Sequence, residues 1–372
     1  MRYLTALDVD DGACSVVGEL DIETWIPGRP TAGVIDCGSY SGSHEDAARR
    51  LAMAIGPTAA LIDSIVVSHF DSDHWEGFTH LADYVSPRLP SLNVYVPHMP
   101  PRLPAGVLAF MTTRSSDGTV TSLLRDGIAP LLRTGKTPRI IPVAGGDKVT
   151  VGGIDMDVIW PPEHLPDGRM RSVANAINAV YELADELRSK GSPGLGEAIT
   201  SLTEDEPALD QQTYPHQSEV EDSEAEDDVD DTNAGIGAHV LRGFNGSPAE
   251  AEAAKKKVAR VFKRIRKANN DLSIALLSED GSAFFLGDLG DLVLSDLLTD
   301  PLVAPRLGKV DVMLAPHHGS QLLKKATLPP ARICIAQAGK SHMPRWRTNH
   351  LGRHAGGGCV CINGLSSLTV KW

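Results

Sequence analysis

Residues 65–77 read IVVSHFDSDHWEG, and their reading decides the rest of the chain. An apolar run ends, and six positions then hold His69, Asp71, Asp73 and His74. The first three alternate along the chain with His74 adjacent, so a loop leaving a strand end can turn all four toward one point. Imidazole nitrogen and carboxylate oxygen are the donors that hold Zn²⁺ and related divalent ions. Four such groups exceed what one four-coordinate ion takes from a single loop. They suit two ions about 3.5–4 Å apart, each taking two of them. The plain alternative is a polar loop of accidental composition.

Other strand ends count against accident. FFLGDLGD places Asp288 directly after an apolar run, and VDVMLAPHHGS places His317 and His318 after the next. Strand ends are where α/β folds gather site residues. AGVIDCGS repeats the form with Asp36. Taken singly, Asp288 also reads as a helix cap and Asp36 as a turn residue.

Around these motifs the chain alternates short strands with turns. Strands are expected at YLTALDV, CSVVGEL, AGVIDCGS, IDSIVVSH and LNVYVPH, with three more in 139–164. HEDAARRLAMAIG reads as a helix ending at Gly56, GFTHLADYV as a short helix, and 112–135 as largely helical. From 164 to 266 the texture becomes helical and charged, and after Asn269 the strand pattern returns. The expected organisation is one domain from 1–163 plus 267–372, interrupted by a mostly helical insertion at 164–266.

The insertion carries two charge runs. HQSEVEDSEAEDDVDD (216–231) holds nine acids, most of the chain's net charge of −13. It repels itself and lacks apolar surface to bury, so a disordered loop is expected at about 210–235. Eight Lys or Arg lie between 255 and 267, with Val258, Val261, Phe262 and Ile265 on one helical stripe. Ser247 and Glu250 have capping-box spacing at its start. That basic face either contacts phosphate or is simply solvated.

The remaining composition bounds the class. With 42% apolar residues over 372 positions, a sizeable core is possible. No run of about 18 apolar residues exists, so no membrane span is expected. The first residues lack the apolar stretch of a signal peptide, and five cysteines show no disulfide-framework spacing; both fit a cytoplasmic setting. Cys359 and Cys361 form C-x-C, which reads as buried or edge-strand thiols rather than a metal site.

The motif order is strand–Asp-x-Gly-Ser, strand–His-x-Asp-x-Asp-His, strand–Gly-Asp, strand–Pro-His-His-Gly-Ser. It resembles the metallo-β-lactamase fold, and more narrowly the hydrolase domain of the competence protein ComEC. The resemblance covers roughly 1–163 and 267–372, and neither the insertion nor any membrane channel. It implies an αββα sandwich with two divalent ions. His69 and Asp71 would hold one; Asp73, His74 and His318 the other; Asp288 would bridge them, and Asp36 would orient the site from behind. Many members of the fold have His where Asp71 stands. The harder oxygen donor favours manganese as an alternative beside zinc, and ComEC-like members share the change. Many members also supply another histidine before the bridging aspartate; of His80, His98 and His164, His98 is the best placed. His342 in SHMPRW aligns loosely with a late Gly-His-Pro element.

These features imply a dinuclear-metal hydrolase that acts through a metal-bridging hydroxide. Asp73 would orient the nucleophile and His317 or His342 would protonate the leaving oxygen. The expected activity is that of a phosphodiesterase or nuclease, with nucleic acid as substrate. Ser320, Lys256, Lys263 and Arg264 are the candidate substrate contacts. The competing reading is a small-molecule hydrolase, for a cyclic nucleotide, phosphoester, lactam or lactone, with the insertion as a lid. A metal-bound scaffold that binds partners is a third, disfavoured by the complete ligand set.

Overall fold

The apolar runs that end in His, Asp or Ser become strands of two sheets in a computed structural model. It describes residues 1–19, 31–40, 43–55, 62–85, 89–100, 102–111, 127–132, 136–203, 240–351 and 359–372. The expected acidic loop at 210–235 lies outside the described residues, as does most of 112–135. Within the latter, Ala129–Leu131 is a 3₁₀ turn.

The first sheet holds β1 (Arg2–Leu7), β2 (Cys14–Glu19), β3 (Thr31–Cys37), β4 (Ile62–Val66), β5 (Asn93–Pro97) and β6 (Arg139–Val143). The second holds β7 (Lys148–Val151), β8 (Ile154–Trp160), β9 (Ala275–Ser278), β10 (Ala283–Phe285), β11 (Val310–Leu314), β12 (Ala331–Ala336) and β13 (Cys359–Cys361). The last strand, β14 (Ser367–Lys371), returns to the first sheet beside β1. The orders are β14-β1-β2-β3-β4-β5-β6 and β13-β12-β11-β10-β9-β8-β7.

Strands β3 to β6 run parallel, and so do β10 to β13. Strand β1 is antiparallel to β2 and β2 to β3, so β1 points the same way as β3. The outlying β7 and β8 alternate buried and solvent-facing residues, as strands covered on one face do. Strand β4 is buried almost throughout, the pattern of a strand covered on both faces. One apolar cluster joins Leu4, Val17, Ile35 and Val66 of the first sheet to Met156, Leu276, Phe285 and Val312 of the second. The two sheets therefore face each other across a shared core. Helix α1 (His44–Ile55) packs on β2 and β3 through Ala47, Ala48 and Leu51. Two single-turn helices, α2 (Ser72–Trp75) and α3 (Phe78–Leu81), follow β4.

The chain divides into two compact units. Both sheets lie in Met1–Met99, Leu124–His164 and Asn270–Trp372; the second unit is Pro100–Leu123 and Leu165–Asn269. Residues 100–123, read from sequence as part of the first domain, group with the second. Their described part is a helix not expected from sequence, α4 (Arg102–Met111).

The second unit also contains α5 (Asp167–Ser189), α6 (Gly194–Thr203) and nearly all of α7 (Pro248–Asn270). The stripe Val258, Val261, Phe262 and Ile265 is buried, and the Phe262 ring lies 5.3 Å from that of Phe110. The capping box is formed: Ser247 N donates to Glu250 Oε2 at 2.8 Å and Glu250 N to Ser247 Oγ at 3.3 Å. Among the described residues, no helix is long and apolar enough to cross a membrane.

Candidate metal centre

The site residues come from the carboxyl ends of strands that point one way in each sheet: β1, β3 and β4 in the first, β10, β11 and β12 in the second. The motif SHFDSDH runs from the turn after β4 into α2. Asp71 is the N-cap of α2, yet its side chain makes no capping hydrogen bond. A capping aspartate is worth about 0.5–2 kcal/mol. Forgoing that leaves the carboxylate facing His69, with Oδ2 3.8 Å from Nε2. Gly38 lets β3 close on this turn, since a Cβ there would sit 2.4 Å from the Asp73 carbonyl carbon.

His69, Asp71, Asp73, His74, Asp288 and His318 are all buried. Asp288 lies between the others. Its Oδ2 is 3.8 Å from His69 Nε2 and 3.6 Å from His318 Nε2, and its Oδ1 is 3.4 Å from His74 Nε2. Asp73 Oδ2 is 3.1 Å from His318 Nε2 and 3.6 Å from His74 Nε2. The two imidazole Nε2 atoms of His74 and His318 are themselves 3.3 Å apart.

Hydrogen bonding behind the cluster assigns the protons. Asp36 accepts from Ser68 N and Ser68 Oγ, both at 2.7 Å, and faces His74 Nδ1 at 2.9 Å. A carboxylate oxygen accepts, so His74 Nδ1 carries a proton and Nε2 is left to take a cation, either a second proton or a metal ion. The Ser68 hydroxyl proton is committed to Asp36, so His69 Nδ1 donates to Ser68 Oγ at 3.1 Å. His69 Nε2 is then left in the same way. It is buried and has no hydrogen-bond partner among the described residues.

Buried imidazoles and carboxylates that converge on one point need positive charge among them. Burial opposes charge on His74, but Asp288, Asp36 and Asp73 outweigh it and hold this imidazole well above its ordinary range. Burial likewise opposes ionisation of Asp288, yet His317, His318, His74 and His69 hold it well below the carboxylate range. A divalent cation meets the same demand, and the oxygen and nitrogen donors suit one. Among the described residues, His69, His74 and Asp288 form one group able to share an ion, and Asp73, His74 and His318 another.

The second sheet supplies its side chains from strained backbone. His317 and His318 have φ of 48° and 56°, and Asp36 at the end of β3 has 55°. Such values are costly for residues with a Cβ and cluster at functional sites. The His317 turn is held by its N–H to Gly287 O at 2.9 Å and by Ser320 N and Oγ to its carbonyl at 2.8 and 2.9 Å. Ser320, expected as a substrate contact, thus spends its hydroxyl inside the turn. His317 is the more exposed of the pair, with Nδ1 3.7 Å from Asp288 Oδ2.

His342 stacks on His318 at 6.0 Å and 20°. Burial, then repulsion from His318, lowers its pKa. Its Nδ1 is buried 3.6 Å from Asp11 Oδ1, and its N–H donates to that same oxygen at 3.2 Å. Asp11 also accepts from Ser341 N and Oγ. Sequence reading missed Asp11 and Ser68. The Asp11 signal was present in LDVDDG, the same strand–acid–Gly form as VIDCG.

Other expected residues lie elsewhere. His98 is exposed at the end of β5, and neither it nor His80 nor His164 belongs to a candidate metal group among the described residues. Lys256, Lys263 and Arg264 are exposed on α7 of the second unit.

No protein-family model matches the chain, and no curated protein does. Solved structures do. The metallo-β-lactamase fold protein YhfI from Bacillus subtilis overlaps 99% of this chain and 99% of its own, at 8% identity and a TM-score of 0.40. MEM-A1, a subclass B3 metallo-β-lactamase from a soil metagenome library, overlaps 44% of this chain and 50% of its own, at 16% and 0.23. A HARLDQ-motif mutant of a Cronobacter sakazakii metallo-β-lactamase overlaps 43% and 49%, at 20% and 0.23. Overlaps this loose carry no functional inference. The chain's own two mixed seven-stranded sheets, facing each other across one core and joined by helices, make it a mixed α/β fold.

Proposed function

We propose that the chain is a divalent-metal-dependent hydrolase that cleaves phosphodiesters, with nucleic acid as its substrate class. One observation carries the metal: the buried meeting of His69, Asp73, His74, Asp288 and His318, with two imidazoles whose protons are fixed on the far nitrogen. His69 and Asp71 would hold one ion, Asp73, His74 and His318 a second, and Asp288 both. Zinc suits the histidines, and the carboxylates admit manganese. When bound, such ions supply an activated water and a Lewis acid for a phosphoryl or carbonyl oxygen.

The chain's own residues do the rest. Asp36 and Ser68 fix the imidazole tautomers. Asp73 orients the attacking water through the oxygen not turned to His318. His317, at the open side of Asp288, or His342, held by Asp11, protonates the leaving oxygen. The ComEC-like motif order and the basic face of α7 support a polymeric phosphodiester.

A small-molecule substrate is the second reading, and one observation favours it. Within α7's unit, Lys257 pairs with Glu186, and Lys255 lies 3.8 Å from Glu252, so part of that face is already neutralised. A panel of single- and double-stranded DNA, RNA, cyclic dinucleotides and a β-lactam, run on metal-reconstituted protein, separates the two. Cleavage of nucleic acid by wild type but not by Asp288→Asn supports the proposal. Turnover of the lactam alone would reject it.

A further inference from the structure

Sequence reading set Cys359 with Cys361 and gave them no metal. The fold pairs Cys359 differently. Parallel pairing of β12 and β13 puts it in register with Cys334, and the two sulfurs lie 3.2 Å apart without a disulfide between them. His350 closes the group from the end of the turn Trp346–His350, with Nε2 3.7 Å from Cys334 Sγ. All three side chains are buried, His350 completely. Their ligand atoms lie within 4.8 Å of one another. We propose that Cys334, Cys359 and His350 form a separate structural site for one zinc ion.

Geometry and charge both select the metal. Tetrahedral zinc with bonds of about 2.3 Å to sulfur and about 2.0–2.1 Å to nitrogen sets sulfurs about 3.8 Å apart and sulfur to nitrogen about 3.6 Å. The present spacings reach this with a sub-ångström opening of the thiol pair. Zn²⁺ with two thiolates and a neutral imidazole carries no net charge, which an apolar interior tolerates. Cu⁺ in the same donors would leave one buried negative charge. Burial, with Cys359 alongside, pushes the Cys334 thiol well up. Binding is then Zn²⁺ plus two thiols giving the dithiolate complex and two released protons. The three side chains supply three of the four donors that tetrahedral zinc takes.

The site would hold one end of a segment whose other end is His342. Trp346 N donates to His342 O at 2.9 Å, and Asn349 Nδ2 donates to Ser320 O at 3.2 Å. A Cβ on Gly319, beside His318, would meet Trp346 Cδ1 at 2.9 Å. The zinc would therefore fix the turn that backs the His317–His318 loop. It draws on none of the residues of the carboxylate centre, so its failure leaves the proposed function intact.

The test uses cobalt and the fully reduced, metal-stripped full chain. Sulfur-to-cobalt charge transfer absorbs in the near ultraviolet, and the His/Asp centre contains no sulfur to produce it. Titration should raise this band to a plateau whose intensity corresponds to one cobalt–dithiolate centre per chain, and zinc should abolish it. Asp288→Asn and Cys37→Ser should keep the band; Cys334→Ser and Cys359→Ser should lose it. His350→Ala should weaken cobalt binding by more than the roughly 10–100-fold that losing an outer partner of a ligand costs. Because the serine variants could unfold, X-ray absorption on zinc-loaded Asp288→Asn provides a second measurement, expected to show two sulfur ligands. No band in reduced wild type, or a band removed by Cys37→Ser instead, overturns the proposal.

Discussion

The chain has two dense groups of charged residues, and they are built oppositely. In the first unit, carboxylates and imidazoles from six strand ends are buried against one another. Their hydrogen bonds lead away from the centre, to Ser68, Asp36 and Ser341, and leave Nε2 atoms facing inward. In the second unit, the lysines and arginines of α7 stay at the surface, and Lys257 and Lys255 face glutamates of their own unit. Sequence presents both as equally loud motifs. The difference is burial. A solvated charge needs no explanation, whereas buried carboxylates and imidazoles need compensating charge, from protons or from a metal ion.

The largest expected effect falls on the buried group. Asp288→Asn removes the carboxylate that faces His69, His74 and His318 together. Losing several kcal/mol of transition-state stabilisation corresponds to roughly a thousandfold or more in kcat. The fold should be retained without added metal, since the amide keeps the shape of the carboxylate it replaces. Elemental analysis should find two divalent ions of the His/Asp centre per wild-type chain and fewer in the variant. The single variant Cys334→Ser removes the thiol site from that count. Wild type saturating there with one ion would sink the dinuclear model.

Asp36→Asn sharpens the claim that the hydrogen bonds behind the cluster fix its tautomers. An amide can donate to His74 Nδ1 and so push the proton to Nε2, where a cation should sit. Metal affinity should fall about 10–100-fold with the fold retained, as for other outer partners of ligand histidines. Equal metal affinity with unchanged activity would show that Asp36 serves only the turn.

Much of this architecture was legible because strand ends are local. The apolar run before each of Asp36, His69, Asp288 and His317 marks a strand, and the polar residue after it marks the edge where sites form. Asp11 carries the same signal but was passed over, because its partners Ser341 and His342 are about 330 residues away. His350 had no signal at all. It becomes a neighbour of Cys334 and Cys359 only through the parallel pairing of β12 with β13. Glu186 lies 71 residues before Lys257, so the partial neutralisation of the basic face was equally invisible.

That basic face sets the next test, with a smaller effect. If nucleic acid lies on α7, changing Lys256, Lys263 and Arg264 to Gln should flatten the slope of log affinity against log salt. The principle gives about 0.9 per phosphate contact on duplex DNA, so up to about 2.7 in all. Cleavage of a small generic phosphodiester should persist. An unchanged slope would leave α7 as a solvated face and bring the small-molecule reading forward.

The smallest effect concerns how α7 begins. Glu250 accepts the Ser247 N–H and hydroxyl and faces Lys190 Nζ at 3.0 Å. Those bonds, the backbone one foremost, hold its carboxyl at about 2 rather than the usual 4.5. A depressed carboxylate stabilises the fold fully above its unfolded value and loses that contribution as pH falls through the folded one. Wild type should therefore be slightly more resistant to urea than Glu250→Gln at neutral pH. The gap should hold down to about pH 4.5 and close toward pH 2, where the wild-type side chain is neutral as well. Glu250 is fully exposed, so the difference is small and should shrink further in salt. The carboxyl carbon shift followed by NMR gives the direct reading: still that of a carboxylate at about pH 3 if the capping box holds as described. A midpoint near the unperturbed glutamate value would show that the box is open in solution, and that α7 owes its start to the buried stripe of Val258, Val261, Phe262 and Ile265 alone.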